Sequence, residues 1–405
     1  MYKITIVILV FLFTSCTFEK KNKSTSFSQT KKNDVHIVDL DNAQEEPIFY
    51  SSLFKKVTPI ILETNTDALI GNIDALQAFG QYIFVLDKDK AKSLFVFDKN
   101  GQFIRKIGGR GKGPDEYDDI SDFTINTEKE EIYLLDSSGP RVYKYKIDGT
   151  YISSVTLEVN NANVRFIQYH QEKLYTDMCY FTQTEDDYLL QSFNLQNGKQ
   201  EERFLQTSLY NKGWNELYGN ADQDFFISKT NLHPKYMQMF MDTVISIHHD
   251  GISPFLAIKS KDLVTEKDLT SFKNQHRDVS DLSEVLRSSQ KIFWINNFIE
   301  GNTFVLFKYI QGNTVKTVLY NMQYKQTYIA KGFRNDMIFT DLKNFMSRFV
   351  FSDMNGVYVY FNSYFTSDFI EHIKKGQFVN GLENVDKLVK LNEESNPVIF
   401  YYEYQ

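Results

Sequence analysis

The residues with the greatest capacity to bind a ligand are concentrated in one glycine-rich stretch. Residues 108–117 read Gly-Gly-Arg-Gly-Lys-Gly-Pro-Asp-Glu-Tyr. If this stretch projects from the fold, Arg110 and Lys112 can meet an acidic or sugar ligand, and Glu116 and Tyr117 complete the set of candidate ligand-binding residues. The alternative is structural, because glycines permit the tight backbone crossing that joins two β units. The sequence leaves both interpretations open.

The same stretch does not fit the phosphate-binding loops. Gly108 and Gly113 have the spacing of P-loop glycines, but Pro114 stands where that motif requires lysine. Strand-like residues follow from Phe123, so there is no helix N-terminus to hold an anion. A P-loop and a dinucleotide-binding fingerprint are therefore excluded.

The remaining polar residues predict neither a catalytic centre nor a metal site. His248 and His249 are adjacent in a strand-like run, and adjacent strand residues point to opposite faces. The other histidines are scattered along the chain, at His36, His170, His233, His276 and His372. The sequence has no Gly-x-Ser-x-Gly nucleophile elbow and no His-Glu-x-x-His motif. We therefore expect no catalytic residue, no metal and no cofactor.

Composition narrows the class of protein. Of the 405 residues, 15% are aromatic, which favours half-buried strands. The formal net charge of −7 argues against a nucleic-acid partner, which would need clustered Lys and Arg. The two cysteines, Cys16 and Cys179, cannot build a disulfide framework or a Cys-based zinc site. We expect Cys179 to be a small buried hydrophobic residue.

The N-terminus has the pattern of a secretory signal. Lys3 precedes a nearly uninterrupted apolar run, residues 4–13, and two small residues lead to Cys16. A helix of this length rises only about 15 Å, half of a bilayer core, so the run is too short to span a membrane. The alternatives are an ordinary signal peptide, in which Cys16 has no role, and a buried strand.

A resemblance extends this interpretation. Phe13-Thr14-Ser15-Cys16 is similar to the lipobox of bacterial lipoproteins, with Phe13 in place of the usual leucine. The resemblance implies a lipoprotein signal peptide over residues 1–15 and lipidation of Cys16, with acyl chains such as palmitate as the membrane anchor. We expect a location in the cell envelope, at the outer rather than the inner membrane, with the protein periplasmic or surface-exposed.

The residues after Cys16 predict a tether followed by one folded domain. Residues 17–34 are rich in Lys, Ser, Thr and Asn and cannot bury enough apolar surface to become ordered. We assign a flexible tether to residues 16–45 and the folded domain to residues 46–405.

The folded domain contains repeats of similar length. Asp87 and Asp136 end corresponding strands and lie 49 positions apart, and Gly101 and Gly149 follow the next strands at a spacing of 48. Weaker copies continue to the end of the chain and bring the number of copies to six. Several strands in a unit of this length predict the blades of a propeller. We therefore predict an all-β fold, a six-bladed β-propeller with a few short helical insertions, and a β-sandwich as the competing architecture.

Two further features complete the predicted ring. Strand-like residues 59–63 and 397–402 flank the repeats, and we expect them to join one blade and close the ring. Helical spacing of apolar residues predicts insertions at 264–287, 341–349, 367–375 and 384–394.

A second resemblance covers most of the domain. Residues 97–103, together with Gly111-Lys112-Gly113-Pro114-Asp115-Glu116-Tyr117, resemble the signature of the six-bladed β-propeller lipoproteins of Bacteroidetes, relatives of the NHL-repeat propellers. The family's usual Gly-Pro-Gly-Glu-Tyr is Gly-Pro-Asp-Glu-Tyr in this chain. The biochemical role of that family is largely undefined, so the resemblance implies a fold and a location.

The expected function is that of a monomeric binding module. We expect a glycan, a peptide or a partner protein of the envelope to be held over the central channel by loops such as residues 108–117. The alternative is a hydrolase or lyase, in which carboxylates and a histidine from separate blades converge at the channel mouth. A third interpretation is a scaffolding component of an outer-membrane complex. An enzyme would bring several acids, histidines or a metal to one pocket, whereas a binding protein would show aromatic surfaces and few titratable groups.

Overall fold

The computed structural model describes residues 35–160, 162–180, 187–212, 225–226, 233–275, 279–340, 347–361 and 366–405. These residues form a six-bladed β-propeller with few short helices, which confirms the predicted fold class. The predicted signal peptide, Cys16 and the first part of the tether lie outside the described residues, as does His276.

The N-terminal segment contributes three strands before the first complete blade begins. In chain order, these strands are β1 (His36–Asp39), β2 (Gln44–Phe49) and, after a 3₁₀ turn at Tyr50–Ser52, β3 (Phe54–Ile61). Two of them occupy residues that we assigned to the tether. The assignment of residues 36–45 to a tether is therefore wrong, because their backbone groups pair with blades that lie later in the chain.

In blades 1 to 3, four antiparallel strands follow one another in sequence. Blade 1 consists of β4 (Ala75–Phe79), β5 (Tyr82–Asp87), β6 (Ser93–Asp98) and β7 (Phe103–Ile107). The connection to the next blade contains a parallel pair of two-residue strands, β8 (Gly109–Arg110) and β9 (Glu116–Tyr117). Blade 2 consists of β10 (Ile120–Asn126), β11 (Glu131–Asp136), β12 (Arg141–Lys146) and β13 (Tyr151–Thr156). Blade 3 consists of β14 (Ala162–His170), β15 (Lys173–Tyr180), β16 (Tyr188–Asn194) and β17 (Gln200–Gln206).

Blades 4 to 6 each incorporate one of the N-terminal strands. Blade 4 carries β1 as a parallel outer strand beside β18 (Phe225–Phe226), β19 (Lys235–Tyr236), β20 (Thr243–His248) and β21 (Gly251–Lys259). Blade 5 carries β2 in the same way beside β22 (Ile292–Glu300), β23 (Phe304–Gln311), β24 (Thr314–Asn321) and β25 (Gln326–Arg334). Blade 6 consists of β26 (Ser347–Ser352), β27 (Gly356–Phe361), β28 (Val398–Tyr404) and β3.

Blade 6 closes the ring as predicted. Strands β28 and β3 are antiparallel neighbours, with Val398 opposite Ile61 and Glu403 opposite Lys56. The C-terminal strand β28 and the strand β3, which precedes the first complete blade, therefore share one sheet.

The first strands of neighbouring blades contact one another around the centre of the ring. Hydrophobic side chains fill the spaces between blades; one such cluster combines Phe84 and Val96 of blade 1 with Phe123 and Leu134 of blade 2. Cys179 is buried in blade 3, as expected, with 7% of its surface exposed. Each blade thus covers the apolar face of the next, which a single four-stranded sheet could not do alone.

Glycines in the turns between the third and fourth strands of blades 1 and 3 contact the neighbouring blade. Gly101 has a φ of 85° in the turn between β6 and β7, and its carbonyl oxygen accepts a hydrogen bond of 2.7 Å from Glu63 N. A Cβ atom at this position would lie 2.1 Å from the carbonyl oxygen of Ile61 in blade 6. Gly198 repeats the arrangement between blades 3 and 2, with a φ of 72° and a 2.8 Å bond from Glu158 N. The repeat spacing therefore reflects both turn geometry and the contact between blades.

The helices lie in connections on one face of the ring. They are α1 (Thr207–Tyr210), α2 (Glu266–Gln275), α3 (Val279–Ser288), α4 (Thr366–Lys374) and α5 (Val385–Leu388). We call this face, which also carries the connections between blades, the upper face, and the opposite one the lower face. In the part of the chain that the structure describes, no helix combines the length and hydropathy of a membrane span.

The helix predictions were partly correct. The helix predicted at 367–375 is present and ends before Gly376, which has a φ of 64°. In the region predicted helical at 264–287, the described residues form α2 and α3, and residues 276–278 between them lie outside the described residues. The helix predicted at 384–394 is the single turn α5. The prediction at 341–349 is wrong for residues 347–349, which begin β26, while residues 341–346 lie outside the described residues.

A buried ion-pair network joins blades 3 and 4. Asp177 on β15 is fully buried and accepts hydrogen bonds from Arg165 Nε at 2.8 Å and Arg165 Nη2 at 2.5 Å. Its second oxygen accepts from Tyr236 Oη at 2.7 Å and from Gln238 Nε2 at 2.9 Å. All four hydrogen bonds are accepted by the Asp177 carboxylate. Its buried negative charge is therefore paired with Arg165 and fully hydrogen-bonded.

Candidate ligand-binding site

The predicted loop is held together by its own side chains. The Glu116 carboxylate accepts a 2.7 Å hydrogen bond from Gly113 N, and a Cβ atom at Gly111 would lie 1.9 Å from Glu116 Oε2. Lys112 Nζ lies 2.9 Å from Asp118 Oδ2, and this ion pair lowers the pKa of Asp118. The glycine spacing therefore accommodates the Glu116 side chain.

The structure does not bring the four predicted ligand-binding residues to one surface. Tyr117 is 1% exposed within the core between blades 1 and 2. Its hydroxyl donates to the Lys92 carbonyl at 3.2 Å, and burial raises its pKa to about 12. Arg110 Nε donates to the carbonyl of Asp118 at 3.2 Å. Tyr117 is thus a packing residue, and its ring is covered.

Lys112 and Glu116 border a shallow depression of about 290 Å³. Its opposite side is formed by Arg141 and Tyr143 of β12 and by Thr156 of β13. The depression lies over the outer strands of blade 2. The depression beside this loop is therefore away from the central channel, and ligand binding by the loop stays a prediction.

Buried aspartates fix the connections between blades on the upper face. The Asp136 carboxylate accepts hydrogen bonds from Asp118 N at 2.7 Å, Asp119 N at 3.2 Å and Ser138 N at 3.0 Å. Asp87, the corresponding residue of blade 1, accepts from Gly71 N at 2.6 Å and from Lys90 N at 2.9 Å. Each carboxylate thus satisfies backbone N–H groups that the crossing leaves without ladder partners.

The channel wall contains one carboxyl group with an unusual pKa. Asp122 lies on β10, the first strand of blade 2, and its Oδ2 accepts a 2.8 Å hydrogen bond from Ile167 N of blade 3. Burial raises its pKa to about 7. Perturbed carboxyl groups are often functional, but this one has a direct structural use because it links two first strands.

A separate cavity of about 160 Å³ lies on the lower face of the ring, where the central channel opens. It is formed by the ends of the first strands of blades 1, 2 and 3 and by the turns that follow these strands in blades 2 and 3. Blades 4 and 6 contribute one residue each. We call this cavity the lower mouth. Its described lining residues are Gln77, Ala78, Phe79, Ile125, Asn126, Thr127, Glu128, Gln168, Tyr169, His170, Gln171, Pro234 and Phe351.

Amide side chains at the lower mouth are held in place by the blades. Gln77 Nε2 donates to the Phe123 carbonyl at 3.0 Å, and Gln77 Oε1 accepts from Ile125 N at 3.2 Å. This side chain bridges the first strands of blades 1 and 2 as a ladder residue would. Gln168 Nε2 donates to the Tyr169 carbonyl at 2.9 Å. The cavity walls are therefore preorganised by interactions within the protein.

A cluster of imidazoles lies on one side of the lower mouth, at the seam between blades 3 and 4. The ring centroids of His170 and His233 are 6.1 Å apart, and those of His233 and His248 are 4.2 Å apart. His248 Nε2 lies 2.7 Å from Ser253 Oγ. His170 Nε2 and His233 Nδ1 are buried atoms that make no hydrogen bond within the described structure.

The environment keeps these histidines neutral near pH 7. Burial, reinforced by the neighbouring His233 and His248, lowers the pKa of His170 to about 4. Burial also lowers the pKa of His233, with a further contribution from Lys235, and that of His248, with a further contribution from His233. A neutral imidazole offers one N–H donor and one acceptor nitrogen, so it can pair with hydroxyl and carboxylate groups alike.

Sequence inspection did not find this cluster. His170 ends the first strand of blade 3, whereas His233 precedes the second strand of blade 4 and His248 ends its third strand. No linear spacing connects these positions; only the ring arrangement brings them together. Within the described ranges, no group of three or more His, Cys, Asp or Glu side chains is arranged to hold a metal ion.

Comparison with known proteins identifies the family. The model of one family, the domain of unknown function DUF4934, matches residues 35–403. The chain belongs to the DUF4934 family. The match begins one residue before β1, so the DUF4934 domain includes the strands that we had assigned to the tether.

Two solved structures from Bacteroides resemble this DUF4934 propeller. A protein of Bacteroides fragilis described as a candidate exported protein has a TM-score of 0.71 at 17% identity, with 91% of this chain and 99% of that chain covered. A member of the DUF4221 family from Bacteroides vulgatus has a TM-score of 0.50 at 11% identity, with 87% and 97% covered. None of the curated proteins matches this DUF4934 chain. At these identities the likeness establishes the fold.

Proposed function

We propose that this DUF4934 propeller is a binding module of the cell envelope that holds a sugar residue of a glycan in its lower mouth. The observation that carries the proposal is the lining of the cavity, where amide and imidazole groups lie beside aromatic rings. Sugar hydroxyls pair with amides and imidazoles, and the apolar faces of sugar rings pack on aromatic side chains. Among the described lining residues, Glu128 is the one carboxylate.

The size of the cavity favours a glycan over the other ligands that we considered. Its volume of about 160 Å³ is below the range of about 300–1,000 Å³ that is typical of sites for drug-sized ligands. A protein partner would need about 800 Å² of contact surface on this side. The terminal sugar ring of a glycan suits a cavity of this size better than a drug-sized ligand or a protein surface does.

The envelope location is supported by several observations of different kinds. The apolar run before Cys16 has the length of a signal sequence, and residues 13–16 are similar to a lipobox. The B. fragilis structure that resembles this chain is described as that of a candidate exported protein. We propose Cys16 as the lipidated residue. Labelling of cells with an alkyne-tagged palmitate should mark the wild-type protein and leave Cys16→Ser unlabelled; equal labelling of both would reject this assignment.

The alternative function is a hydrolase or lyase at the channel mouth. Such an enzyme would need an acid and a base that face one substrate. Glu128 and His170 both line the cavity, but in the described part of the chain no hydrogen bond or ion pair couples them as an acid and a base. This distribution favours binding over catalysis.

A glycan array with the full chain in detergent, followed by calorimetry on the strongest hits, tests the proposal. Thr127→Trp places a large side chain at the edge of the cavity, on an exposed turn, and should weaken binding by at least about tenfold. Thr150→Trp is the matched control, because Thr150 is exposed on a neighbouring turn of the same blade and does not line the cavity. Equal binding by Thr127→Trp and the wild type would show that the glycan binds elsewhere.

A further inference from the structure

We propose that the lower mouth selects acidic sugars, and that the imidazole cluster with Lys235 holds the sugar carboxylate. This inference rests on the proposed glycan-binding function and specifies the class of glycan. The imidazole cluster consists of His170, His233 and His248, and Lys235 lies beside it.

The first argument is the buried hydrogen-bonding capacity next to the cavity. His170 lines the lower mouth and is 7% exposed, yet its Nε2 has no hydrogen-bond partner in the described part of the chain. His233, on the blade 4 side of the seam, is half-buried, and its Nδ1 is likewise a buried atom without a hydrogen bond in the described part of the chain. Leaving such atoms unpaired costs free energy, which a ligand oxygen that pairs with them would recover.

The second argument is the fixed positive charge behind these rings. Lys235 is 4% exposed, and its Nζ donates to the His233 carbonyl at 2.9 Å. The ammonium group also lies 3.5 Å from Glu300 Oε2 and 4.4 Å from the centroid of the Phe255 ring. The ammonium group therefore lies next to His233.

The carboxylates around the cluster as a whole outnumber Lys235, but they are not the groups that act most strongly on His170. Lys235 faces Glu300 of blade 5, while His249 and Asp250 occupy the exposed turn between β20 and β21. Glu128 is on the blade 2 side of the lower mouth. The groups that act most strongly on His170 are His233, His248, His249 and Lys235, none of which is an anion. A proton added to His170 therefore lacks a neighbouring carboxylate, which a ligand can supply.

This arrangement makes binding depend on pH. A carboxylate beside the imidazoles raises their pKa, so the complex takes up protons that the free protein does not hold. Affinity for an acidic sugar should therefore increase as the pH falls from 7.5 to 5.5. A neutral sugar lacks this effect because it does not stabilise an imidazolium.

The experiment compares galacturonate with galactose, which differ in one carboxylate, by calorimetry on the full chain in detergent. At pH 5.5 galacturonate should bind about tenfold more tightly than galactose, the factor expected from one charge-assisted hydrogen bond. The preference should shrink at pH 7.5, and heats measured in buffers of different ionisation enthalpy should reveal proton uptake.

Three variants identify the responsible residues. His170→Gln and, independently, His233→Asn should reduce the preference for galacturonate, with thermal melts verifying that each variant is folded. His249→Gln is the matched control, because His249 is exposed and belongs to the same turn region. It should retain the wild-type preference.

The outcomes separate the two proposals. If neither sugar nor any array glycan binds, the proposed function is wrong. If galactose and galacturonate bind equally well, the glycan function stands and the acidic selectivity is wrong. If galacturonate is preferred equally at both pH values and by both cluster variants, the imidazoles do not hold the carboxylate and the inference is overturned.

Discussion

Replacement of Asp177 by alanine should strongly destabilise the propeller. Asp177 receives two hydrogen bonds from Arg165 and one each from Tyr236 and Gln238, and its side chain is fully buried. Alanine would leave the Arg165 guanidinium without this counter-charge. It would also remove one acceptor each from Tyr236 and Gln238, which keep the carbonyls of Leu189 and Met178 as partners. The main cost is therefore the loss of the carboxylate that balances the Arg165 charge.

The magnitude follows from the burial of the two partners. Removing one member of a buried ion pair costs about 3–5 kcal/mol. The Arg165 side chain keeps 20% of its surface accessible, so water offsets part of the loss, and we expect about 3 kcal/mol, the lower end of that range. With a urea dependence of about 3 kcal/mol/M, the unfolding midpoint should fall by about 1 M.

Urea unfolding followed by circular dichroism provides the measurement. The double variant Arg165→Met/Asp177→Ala should recover part of the loss, because it removes both charges and leaves neither uncompensated. Asp148→Ala is the control, since Asp148 is an exposed turn carboxylate. If Asp177→Ala shifts the midpoint no more than Asp148→Ala, the network does not contribute to stability as argued.

The remaining predictions concern the closure of the ring, its turns and its channel. Deletion of residues 394–405 removes β28 and should abolish cooperative unfolding, whereas deletion of residues 17–34 should leave the melting temperature unchanged; equal effects would contradict closure by blade 6. Gly101→Ala should lower the free energy of unfolding by more than the roughly 1 kcal/mol expected from strain at a positive φ, because its Cβ would meet the Ile61 carbonyl. Gly80 has a φ of 57° and open space around it, so Gly80→Ala should cost only that strain. Asp122 is protonated more readily in the folded than in the unfolded state, so its contribution to stability is present below pH 4 and is lost as the pH rises through about 7. Asp122→Asn should therefore flatten the melting temperature between pH 5 and 8 relative to the wild type, and an unchanged pH profile would contradict the raised pKa.

The blades could be predicted from the sequence because each repeat is a local unit. Asp87 and Asp136 recur because each carboxylate binds the backbone of the preceding crossing, and the turn glycines recur because their φ angles and neighbours require them. These backbone contacts form within one blade or between neighbouring blades. They therefore leave a regular trace in the chain.

The features that were missed depend on distant pairing. Strand β2, with the sequence Gln-Glu-Glu-Pro-Ile-Phe, is largely exposed and lacks the alternation of a half-buried strand. It is a strand because its backbone pairs with β25. Tyr117 was predicted to bind a ligand because an aromatic residue in a glycine-rich loop can either contact a ligand or pack in the core. Only its neighbours in the folded chain show that it packs in the core. The imidazole cluster has no linear pattern at all.

The order in which the strands are paired has a consequence for biosynthesis. His36 pairs with Leu256, Gln44 with Tyr328 and Ile61 with Val398, so the first three described strands are synthesised long before their partners. A nascent chain could assemble blades 1 to 3 while this N-terminal ribbon is still unpaired. The ribbon would then be captured stepwise by blades 4, 5 and 6 as each is completed, and the final strand to be synthesised would lock it in place.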